Sequence, residues 1–276
     1  MADVDTLTTL PETEGPRAGE VWLVGAGPGD PGLLTLRAAE ALKRADLVLH
    51  DTLPGRGMLR LIRSGATIIN VGKRKGAAPV PQAVINKKLV EGARAGQRVV
   101  RLKGGDPFLF ARGGEEALAL NEAGIGWRLV PGVSAGTSVP ASAGIPLTHR
   151  GVSSAVTFVT GHDGTGALPE SVDWEALARL GGTIAAFMAV SRLDEIVVRL
   201  VAGGLPPETP VAIIAGGTMA AQATLRTTLG TCTLAAKRAA LPGPAMVVIG
   251  EAAGLAASVL NIGPAQPVQQ GARAHA

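Results

Sequence analysis

Residues Val21–Leu42 read VWLVGAGPGDPGLLTLRAAEAL and predict a strand, a bend and a helix in close succession. The apolar run Val21–Val24 predicts a buried strand, and the helix is expected to begin near Thr35. The bend between them, GAGPGDPG, is rich in glycine, which leaves the backbone open to a ligand because no side chain stands in the way. The stretch therefore predicts an α/β unit with a candidate ligand-binding bend.

Two other interpretations of this bend stay open. A dinucleotide-binding fingerprint, G-x-G-x-x-G, needs glycine at the position of Asp30, and Pro28 and Pro31 interrupt it. Asp51 nevertheless follows at about the distance expected for an acid that binds a ribose hydroxyl. A nicotinamide cofactor is therefore disfavoured but stays an alternative, as does a purely structural turn.

The same alternation of short apolar runs and helical stretches continues through the first half of the chain, and a mostly parallel sheet is its simplest solution there. Helices are predicted over Pro81–Ala95 and Glu115–Ala123. A third is predicted over Ser191–Ala202, where Ser191 and Asp194 form an amino-terminal cap signature. The predicted strands are Val21–Val24, Leu47–Leu49, Thr67–Ile69, Val99–Leu102, Leu129–Val130, Ala155–Thr160, Thr183–Ala189, Val211–Ala215, Gln222–Thr227 and Met246–Ile249.

The texture of the sequence changes after Pro131, where PGVSAGTSVPASAGIP is crowded with small residues and has no apolar period. A chain of 276 residues also exceeds the usual size of one domain, roughly 100–150 residues. We therefore predict an N-terminal α/β domain over residues 20–133 and a C-terminal α/β domain over residues 134–262. Residues 1–19 and 263–276 are predicted to be disordered tails.

Composition restricts the class of protein. Hydrophobic residues make up 46% of the chain and charged residues 17%, as in a globular protein. Without a long apolar run or a signal peptide at the polar amino terminus, the chain is predicted to be cytoplasmic and to have no membrane partner. The single Cys232 and four scattered histidines predict no metal site.

The net charge of +4 and the pI near 9.6 indicate an anionic partner. Nucleic acid is disfavoured, because aromatic residues make up only 3% of the chain, Tyr is absent and the longest basic run is Lys73–Lys75. A small polyanion fits these numbers better.

Two further glycine-rich segments are candidates for ligand binding. In RLKGGDPFLFARGG, residues 101–114, a Gly-Gly-Asp-Pro turn lies where a strand ends, and open α/β sheets bind ligands there. An ordinary turn in which Asp106 bonds its own backbone is the alternative. In VGKRKG, residues 71–76, three cations between glycines can wrap an anion, although a solvated loop is the more usual outcome. The GAGPGDPG bend and the Gly-Gly-Asp-Pro turn, both at strand ends of one sheet, can face a shared crevice.

Six pieces of the chain, taken in order from about Val21 to about Gly250, resemble the uroporphyrinogen-III C-methyltransferases of the tetrapyrrole methylase superfamily. The GAGPGDP and GGDP turns are shared across the superfamily, whereas GKR followed by PQ and IN is typical of the uroporphyrinogen branch. The matching pieces are VGAGPGDPGLLTLRAAEAL, ADLVLHD, VGKRKG with PQ and IN, VRLKGGDPFLFARGGEE, VPGVSAGTSVPASAGIPLTHRG and GPAMVVIG.

The resemblance implies two α/β domains that hold S-adenosylmethionine in the cleft between them, a tetrapyrrole substrate and a homodimer. It implies that Asp51 is a proton acceptor and Lys73 a proton donor, with Arg112 at the substrate end of the site. The residues that it implies for cofactor binding are Pro28, Gly104, Gly105, Asp106, Leu109, Ser134, Ala135, Met188, Gly217 and Ala245.

The implied reaction is methylation of uroporphyrinogen III on rings A and B, which gives precorrin-2 through precorrin-1 for sirohaem or cobalamin synthesis. A methylase of the same superfamily that acts on a later precorrin is the alternative. A nicotinamide-dependent oxidoreductase and an RNA-binding module are more remote ones.

One segment departs from the family pattern. The family usually has Tyr before the acid and an apolar pair soon after it, whereas this chain has His50 and then Pro54-Gly55. The acid, Asp51, is retained, so the departure concerns the shape of the following loop and the fit of the substrate. We expect His50 to be a structural hydrogen-bonding residue.

Overall fold

A computed structural model describes residues 14–52, 56–72 and 80–255, and the chain divides between Ala135 and Gly136 into two compact units. Each unit is built around a five-stranded sheet, which confirms the predicted α/β class. The tail predicted for residues 263–276, most of the tail predicted for residues 1–19, Lys73 and Pro54-Gly55 lie outside the described residues.

The first unit contains a parallel sheet in the strand order β3-β2-β4-β1-β5, as the alternation of strands and helices predicts. The outer strands β3 and β5 are only partly buried, because each has a neighbour on one side alone. Since β1 lies between β4 and β5, the segments that follow these three strands emerge side by side. The strands are β1 (Val21–Gly25), β2 (Leu47–His50), β3 (Thr67–Asn70), β4 (Val99–Lys103) and β5 (Trp127–Val130).

Helices cover both faces of this sheet, because alternate residues of a strand point to opposite sides. Trp22 and Val24 pack with α1 and α2, whereas Val21 and Leu23 pack with α3 and α4. Helix α1 begins where the sequence predicts, since the Thr35 hydroxyl accepts a hydrogen bond from Ala38 N at 3.2 Å. The helices are α1 (Leu36–Arg44), α2 (Arg56–Leu59), α3 (Gln82–Arg94) and α4 (Gly113–Glu122).

The second unit contains a mixed sheet in the order β6-β7-β10-β8-β9. The neighbours β6 and β7 pair in parallel, and the other three pairs of neighbouring strands are antiparallel. Helices α6, α7 and α8 cover one face, and α5 packs against Phe158 and Phe187 on the other. The strands are β6 (Val156–Thr160), β7 (Thr183–Phe187), β8 (Pro210–Ala215), β9 (Ala223–Thr228) and β10 (Ala245–Ile249). The helices are α5 (Ala135–Ser142), α6 (Trp174–Leu180), α7 (Leu193–Ala202) and α8 (Cys232–Ala239).

The predicted start of α7 is wrong. Ser191 does not cap α7, because it lies inside a 3₁₀ turn, Val190–Arg192, and the helix begins after it at Leu193. Residues 14–19, just before β1, contact the first unit: Pro16 is buried, and Gly19 N donates to the Gln97 carbonyl oxygen at 3.1 Å. These contacts attach the chain before β1 to the rest of the first unit.

Candidate active site

The carboxyl edge of the first sheet collects the predicted functional residues of the first unit. Its five strands are parallel, so their carboxyl ends meet at one edge, the position at which open α/β sheets bind ligands. The following residues lie on the bends after β1, β2, β4 and β5 or, for Ala135, at the start of α5: Pro28, Asp51, Gly104, Gly105, Asp106, Leu109, Ser134 and Ala135.

The bends after β1, β4 and β5 touch through their backbones. Gly27 N donates to the Gly105 carbonyl oxygen at 3.2 Å, and Gly105 N donates to the Gly27 carbonyl oxygen at 2.7 Å. A Cβ at Gly132 would lie 2.2 Å from the Gly105 oxygen, and one at Gly25 would lie 2.5 Å from Gly132 Cα. Only glycine fits at these two positions, and the two glycine-rich turns predicted at strand ends lie in contact at one edge of the sheet.

Asp106 fastens two of these bends together. Its Oδ1 accepts a hydrogen bond from Phe108 N at 2.8 Å, as in the ordinary turn that the sequence left open as an alternative. Its Oδ2 accepts one from Gly132 N at 3.0 Å, which joins the bend after β4 to the bend after β5. Both carboxylate oxygens thus contact backbone amides, and Asp106 shapes the edge.

The other predicted cofactor residues of the first unit are partly exposed. They carry no charge, and those after β1 and β4 follow strands that are buried throughout. Gly105 has φ +66°, which is the left-handed region that favours glycine. These residues are Pro28, Gly104, Gly105, Leu109, Ser134 and Ala135.

Asp51 directly follows β2, and its backbone N donates to the Leu102 carbonyl oxygen at 3.2 Å. The bend after β3 presses against it, since a Cβ at Gly72 would lie 2.2 Å from Thr52 N. Gly72 therefore lies beside Asp51 and Thr52, and Lys73, the next residue in the sequence, lies outside the described residues. His50 is 6% exposed, and its Nδ1–H donates to the Asp51 carbonyl oxygen at 2.6 Å, as expected for a structural histidine.

A buried network of charges lies directly behind Asp51. Arg101 donates from Nη2 to Asp51 Oδ1 at 2.5 Å and from Nε to Glu116 Oε1 at 2.8 Å. Lys103 Nζ donates to the same Glu116 oxygen at 3.0 Å. The side chains of Arg101 and Lys103 are 3% and 2% exposed and that of Glu116 is fully buried, whereas Asp51 is 28% exposed. We call Asp51, Arg101, Lys103 and Glu116 the buried charge network.

The two cations of this network respond differently to burial. Burial works against the charge of Arg101, but the combined attraction of Asp51 and Glu116 outweighs it and raises the pKa of Arg101 above its ordinary value. For Lys103 burial prevails, and the neighbouring Arg101 charge adds to it, so the pKa of Lys103 is lowered although Glu116 opposes the shift. Arg101 is thus the permanent cation of the network.

Arg112 stands in the turn before α4, with φ +61°. Its guanidinium forms a bidentate pair with Glu115, from Nε to Oε1 at 2.8 Å and from Nη2 to Oε2 at 2.6 Å. Both side chains are more than half exposed, and the Glu115 hydrogen bond raises the pKa of Arg112. The residue therefore presents, in an accessible place, the planar fork that recognises carboxylates.

The predicted cofactor residues of the second unit lie at one edge of its sheet. Met188 follows β7 in the left-handed region, with φ +52°, and is 41% exposed. Gly217 follows β8, and a Cβ there would lie 2.4 Å from the Val139 side chain. Ala245 opens β10 and pairs with Ala215 at the end of β8, so the antiparallel pairing brings the three positions to the same edge.

Sequence reasoning did not identify Arg101 and Glu116 as site residues. A signal for the first was present, because Arg101 and Lys103 alternate in an otherwise apolar strand and buried cations must be paired. Glu116 is harder to recognise, since an acid in the first turn of a helix is usually solvated and favoured by the helix dipole. Its role depends on the tertiary packing that brings Glu116 of α4 within hydrogen-bonding distance of Arg101 and Lys103.

Within residues 14–52, 56–72 and 80–255, no group of three or more His, Cys, Asp or Glu side chains is arranged to hold a metal ion. In the same residues no helix combines the length and the apolar character required for a membrane span.

The chain matches the family model described as Tetrapyrrole (Corrin/Porphyrin) Methylases over residues 20–233. It is 48% identical over 259 residues to a uroporphyrinogen-III C-methyltransferase of Sinorhizobium sp, in a match that covers 94% of this chain and 91% of the relative. It also matches several siroheme synthases, of which it spans about half the length.

Solved structures give the same picture of the fold. A uroporphyrin-III C-methyltransferase from Thermus thermophilus, complexed with S-adenosylhomocysteine, is similar with a TM-score of 0.72 and 36% identity, over 84% of this chain and 98% of that one. A cobalt precorrin-4 methyltransferase is similar with a TM-score of 0.76 and 26% identity, over 85% of this chain and 96% of that one.

Proposed function

Since the chain belongs to the tetrapyrrole methylases, we propose that it transfers methyl groups from S-adenosylmethionine to rings A and B of uroporphyrinogen III. The product is precorrin-2, formed through precorrin-1, and it serves sirohaem or cobalamin synthesis. The observation that carries the proposal is the 48% identity to a uroporphyrinogen-III C-methyltransferase across 94% of the chain.

The bends of the first unit fit the methyl donor. A Cβ at Gly105 would meet only the Ala135 backbone nitrogen, at 3.8 Å, so the space beside this bend is open among the described residues. The uncharged, partly exposed residues Pro28, Gly104, Leu109 and Ser134 suit an adenosyl group, with the Asp106 carboxylate holding the bends in place. We also propose Met188, Gly217 and Ala245, at one edge of the second sheet, as donor-binding residues. When bound, S-adenosylmethionine supplies an electrophilic methyl group and leaves as S-adenosylhomocysteine.

Positioning and one proton transfer account for the chemistry that this chain must supply. A pyrrole carbon of the substrate forms a bond to the methyl carbon while the sulfur–methyl bond breaks, and the electron pair of that bond stays on sulfur. The three atoms must lie in line, so alignment lowers the barrier. The methylated ring is then cationic and must lose a proton, and Asp51, partly exposed at the carboxyl edge, accepts or electrostatically supports that proton.

Uroporphyrinogen III carries eight carboxylates, which suit the basic residues of this edge. Arg112 already holds the Glu115 carboxylate in a bidentate pair, so a substrate carboxylate can take the place of Glu115 in the same geometry. Lys73, which follows Gly72 in the sequence, binds a second carboxylate or returns a proton to the ring system. We also propose that the protein is a cytoplasmic homodimer, which a measurement of its molar mass in solution by light scattering tests in part.

A methylase that acts on a later precorrin is the second candidate. The observation in its favour is the TM-score of 0.76 to a cobalt precorrin-4 methyltransferase. Identity to that protein is 26%, well below the 48% of the uroporphyrinogen enzyme, and the GKR, PQ and IN pieces favour the first candidate.

The deciding experiment is an anaerobic incubation of the purified protein with S-adenosylmethionine and uroporphyrinogen III. We expect two methyl groups per tetrapyrrole and a product that absorbs as a dimethylated tetrapyrrole. A parallel incubation replaces uroporphyrinogen III by a more highly methylated precorrin. Methylation of that substrate alone contradicts the first candidate and supports the second, and a thermal shift with NAD but not with S-adenosylhomocysteine contradicts both.

The place of Arg112 is tested by calorimetry on Arg112→Ala. We expect weaker binding of the tetrapyrrole and unchanged binding of S-adenosylhomocysteine, because the lost fork served the substrate. The reverse order would remove Arg112 from the substrate side.

A further inference from the structure

Arg101 is fixed in a single orientation by every nitrogen of its guanidinium. Nη2 binds Asp51, Nε binds Glu116, and Nη1 donates to the Leu102 carbonyl oxygen at 3.1 Å. The planar fork cannot rotate without breaking one of these bonds, and the side chain is 3% exposed. Arg101 therefore presents Nη2 to Asp51 at a set distance and angle.

Glu116 holds Arg101 from the far side. Its Oε1 accepts from Arg101, from Lys103 and from Gln82 Nε2 at 3.2 Å, so one oxygen joins β4, α3 and α4. Its Oε2 is buried and has no hydrogen-bond partner within the described part of the chain. This carboxylate is costly to bury and is not fully compensated, so it is poor evidence of a device for stability alone.

The network is asymmetric with respect to solvent. Glu116, Arg101 and Lys103 are buried, and Asp51, the member that reaches the surface, is the residue to which the proposed function gives the proton transfer. A carboxylate that accepts a proton from a bound substrate must be held in a fixed orientation, and its negative charge must be balanced by a nearby cation. Arg101 provides both, whereas Lys103 contacts only Glu116 among the hydrogen bonds of this network.

We propose that Arg101 and Glu116 are positioning residues for Asp51: Glu116 locks the guanidinium, and the guanidinium locks the carboxylate at the carboxyl edge. The inference rests on the proposed function, in which Asp51 handles the proton. Neither residue touches the substrate, and both act on turnover through Asp51.

The test is a double-mutant cycle in the anaerobic methylation assay with Asp51→Asn, Arg101→Lys and the double variant. Arg101→Lys keeps the charge but cannot bridge two carboxylates, so we expect kcat to fall about tenfold or more with the KM for S-adenosylmethionine within roughly twofold. In the Asp51→Asn background the same change is expected to lower kcat less than about twofold, because residues that act as a unit are not additive.

Glu116→Gln provides a second, nearly isosteric variant that keeps the volume if Arg101→Lys does not fold. It is expected to lower kcat in the same pattern, with a loss that disappears in the Asp51→Asn background. Arg98→Lys is the matched control, because Arg98 precedes the same strand and pairs with an aspartate, Asp46, at its opposite end. Its kcat is expected to stay within about twofold of the wild type.

The outcomes separate the two proposals. Equal losses from Arg101→Lys with and without Asp51, or a loss in Arg98→Lys as large as that in Arg101→Lys, overturn the positioning role alone. Absence of methylation by the wild-type protein overturns the proposed function and this inference with it. Full turnover of Asp51→Asn removes the acid/base role of Asp51 and, likewise, the inference built on it.

Discussion

The two edges of the first sheet hold the same kind of ion pair in different surroundings. At the amino edge Arg98, just before β4, pairs with Asp46, just before β2; at the carboxyl edge Arg101 pairs with Asp51, just after β2. Arg98 is 35% exposed and Arg101 is 3% exposed. An accessible pair needs little support, whereas the buried one requires Glu116 to balance a second cation. At the carboxyl edge, therefore, buried charges that cost stability fix the position of the Asp51 carboxylate.

Glycines divide between the edges in a similar way. Gly65 and Gly96, before β3 and β4, have φ of +84° and +74°, and no other group lies near their missing side chains. Gly72 and Gly132, after β3 and β5, do not need the left-handed region, but a Cβ at either would collide with backbone at 2.2 Å. At these four positions the amino edge uses glycine for its dihedral angles and the carboxyl edge uses it for close approach, although Gly105 at the carboxyl edge also has a left-handed φ of +66°.

The largest effect is expected from Glu116→Ala, which leaves Arg101 and Lys103 buried without their shared acceptor. We expect the free energy of unfolding to fall by roughly 3–5 kcal/mol, the usual cost of breaking a buried ion pair. Urea unfolding followed by circular dichroism measures it. Glu122→Ala, at the exposed end of the same helix, is the control and should change stability by less than about 0.5 kcal/mol. An equal loss of unfolding free energy in the two variants would contradict the larger stabilising role of the buried Glu116 charge.

The next effect separates glycines at the two ends of β5. Gly132→Ala pushes a methyl group into the Gly105 carbonyl oxygen, and we expect a loss of roughly 2–3 kcal/mol. Gly126→Ala, before the same strand, meets no atom within 4 Å and should leave stability unchanged or raise it by about 0.4–1 kcal/mol. Urea unfolding of both variants measures these free energies. An unchanged stability of Gly132→Ala would show that the bends can move apart to accept the methyl group.

At the amino edge, Asp46→Asn is expected to cost about 1–2 kcal/mol at pH 7, because the charged hydrogen bonds to Arg98 and Arg63 are lost. The hydrogen bonds from Arg98 hold the pKa of Asp46 well below its ordinary value of 3.8. A lowered folded-state pKa stabilises the fold above about pH 4, and that contribution is lost as the pH falls through the folded-state value.

The difference in unfolding free energy between wild type and Asp46→Asn should therefore shrink between pH 5 and pH 2, approximately, and also in about 1 M salt. Denaturation with urea at several pH values measures it. A difference that stays constant down to the lowest pH would contradict the assigned role of the Asp46 charge.

The smallest effect is expected at Gly96, which ends α3 with φ +74°. Gly96→Ala should cost about 1 kcal/mol, because a Cβ is strained in the left-handed region although the space is open. Gly96→Asn should cost a few tenths of a kcal/mol less, since Asn tolerates this conformation. Thermal unfolding of the two variants side by side checks the order, and a reversed order would mean that space, not the dihedral angle, limits this edge.

Much of the fold was predictable, because buried strands appear as short apolar runs and each of the ten predicted runs forms a strand. The direction of the strands in the second unit was not, since β8 and β10 have the same apolar texture in an antiparallel pair as in a parallel one. The 3₁₀ turn at Val190–Arg192 also escaped prediction, because the cap signature of Ser191 describes only regular helix starts.

The candidate site, too, was predictable only where it depends on local sequence and not on tertiary packing. The glycine-rich bends were visible in the sequence, and their position at strand ends followed from the alternation of strands and helices. The contact of Gly25 with Gly132 could not be predicted, because it depends on β1 lying between β4 and β5. The network around Arg101 depends in the same way on the tertiary packing that brings Glu116 of α4 to Arg101 and Lys103 of β4.

The backbone contacts among the bends at Gly25, Gly105 and Gly132 have a consequence for how such a protein can diversify. Main-chain atoms, together with the Asp106 carboxylate, set the spacing of these bends, so substitutions elsewhere can exchange what the edge recognises without altering this arrangement. Relatives with new substrates are then expected to differ at projecting side chains such as Arg112 and to keep an invariant scaffold of bare main chain beneath them.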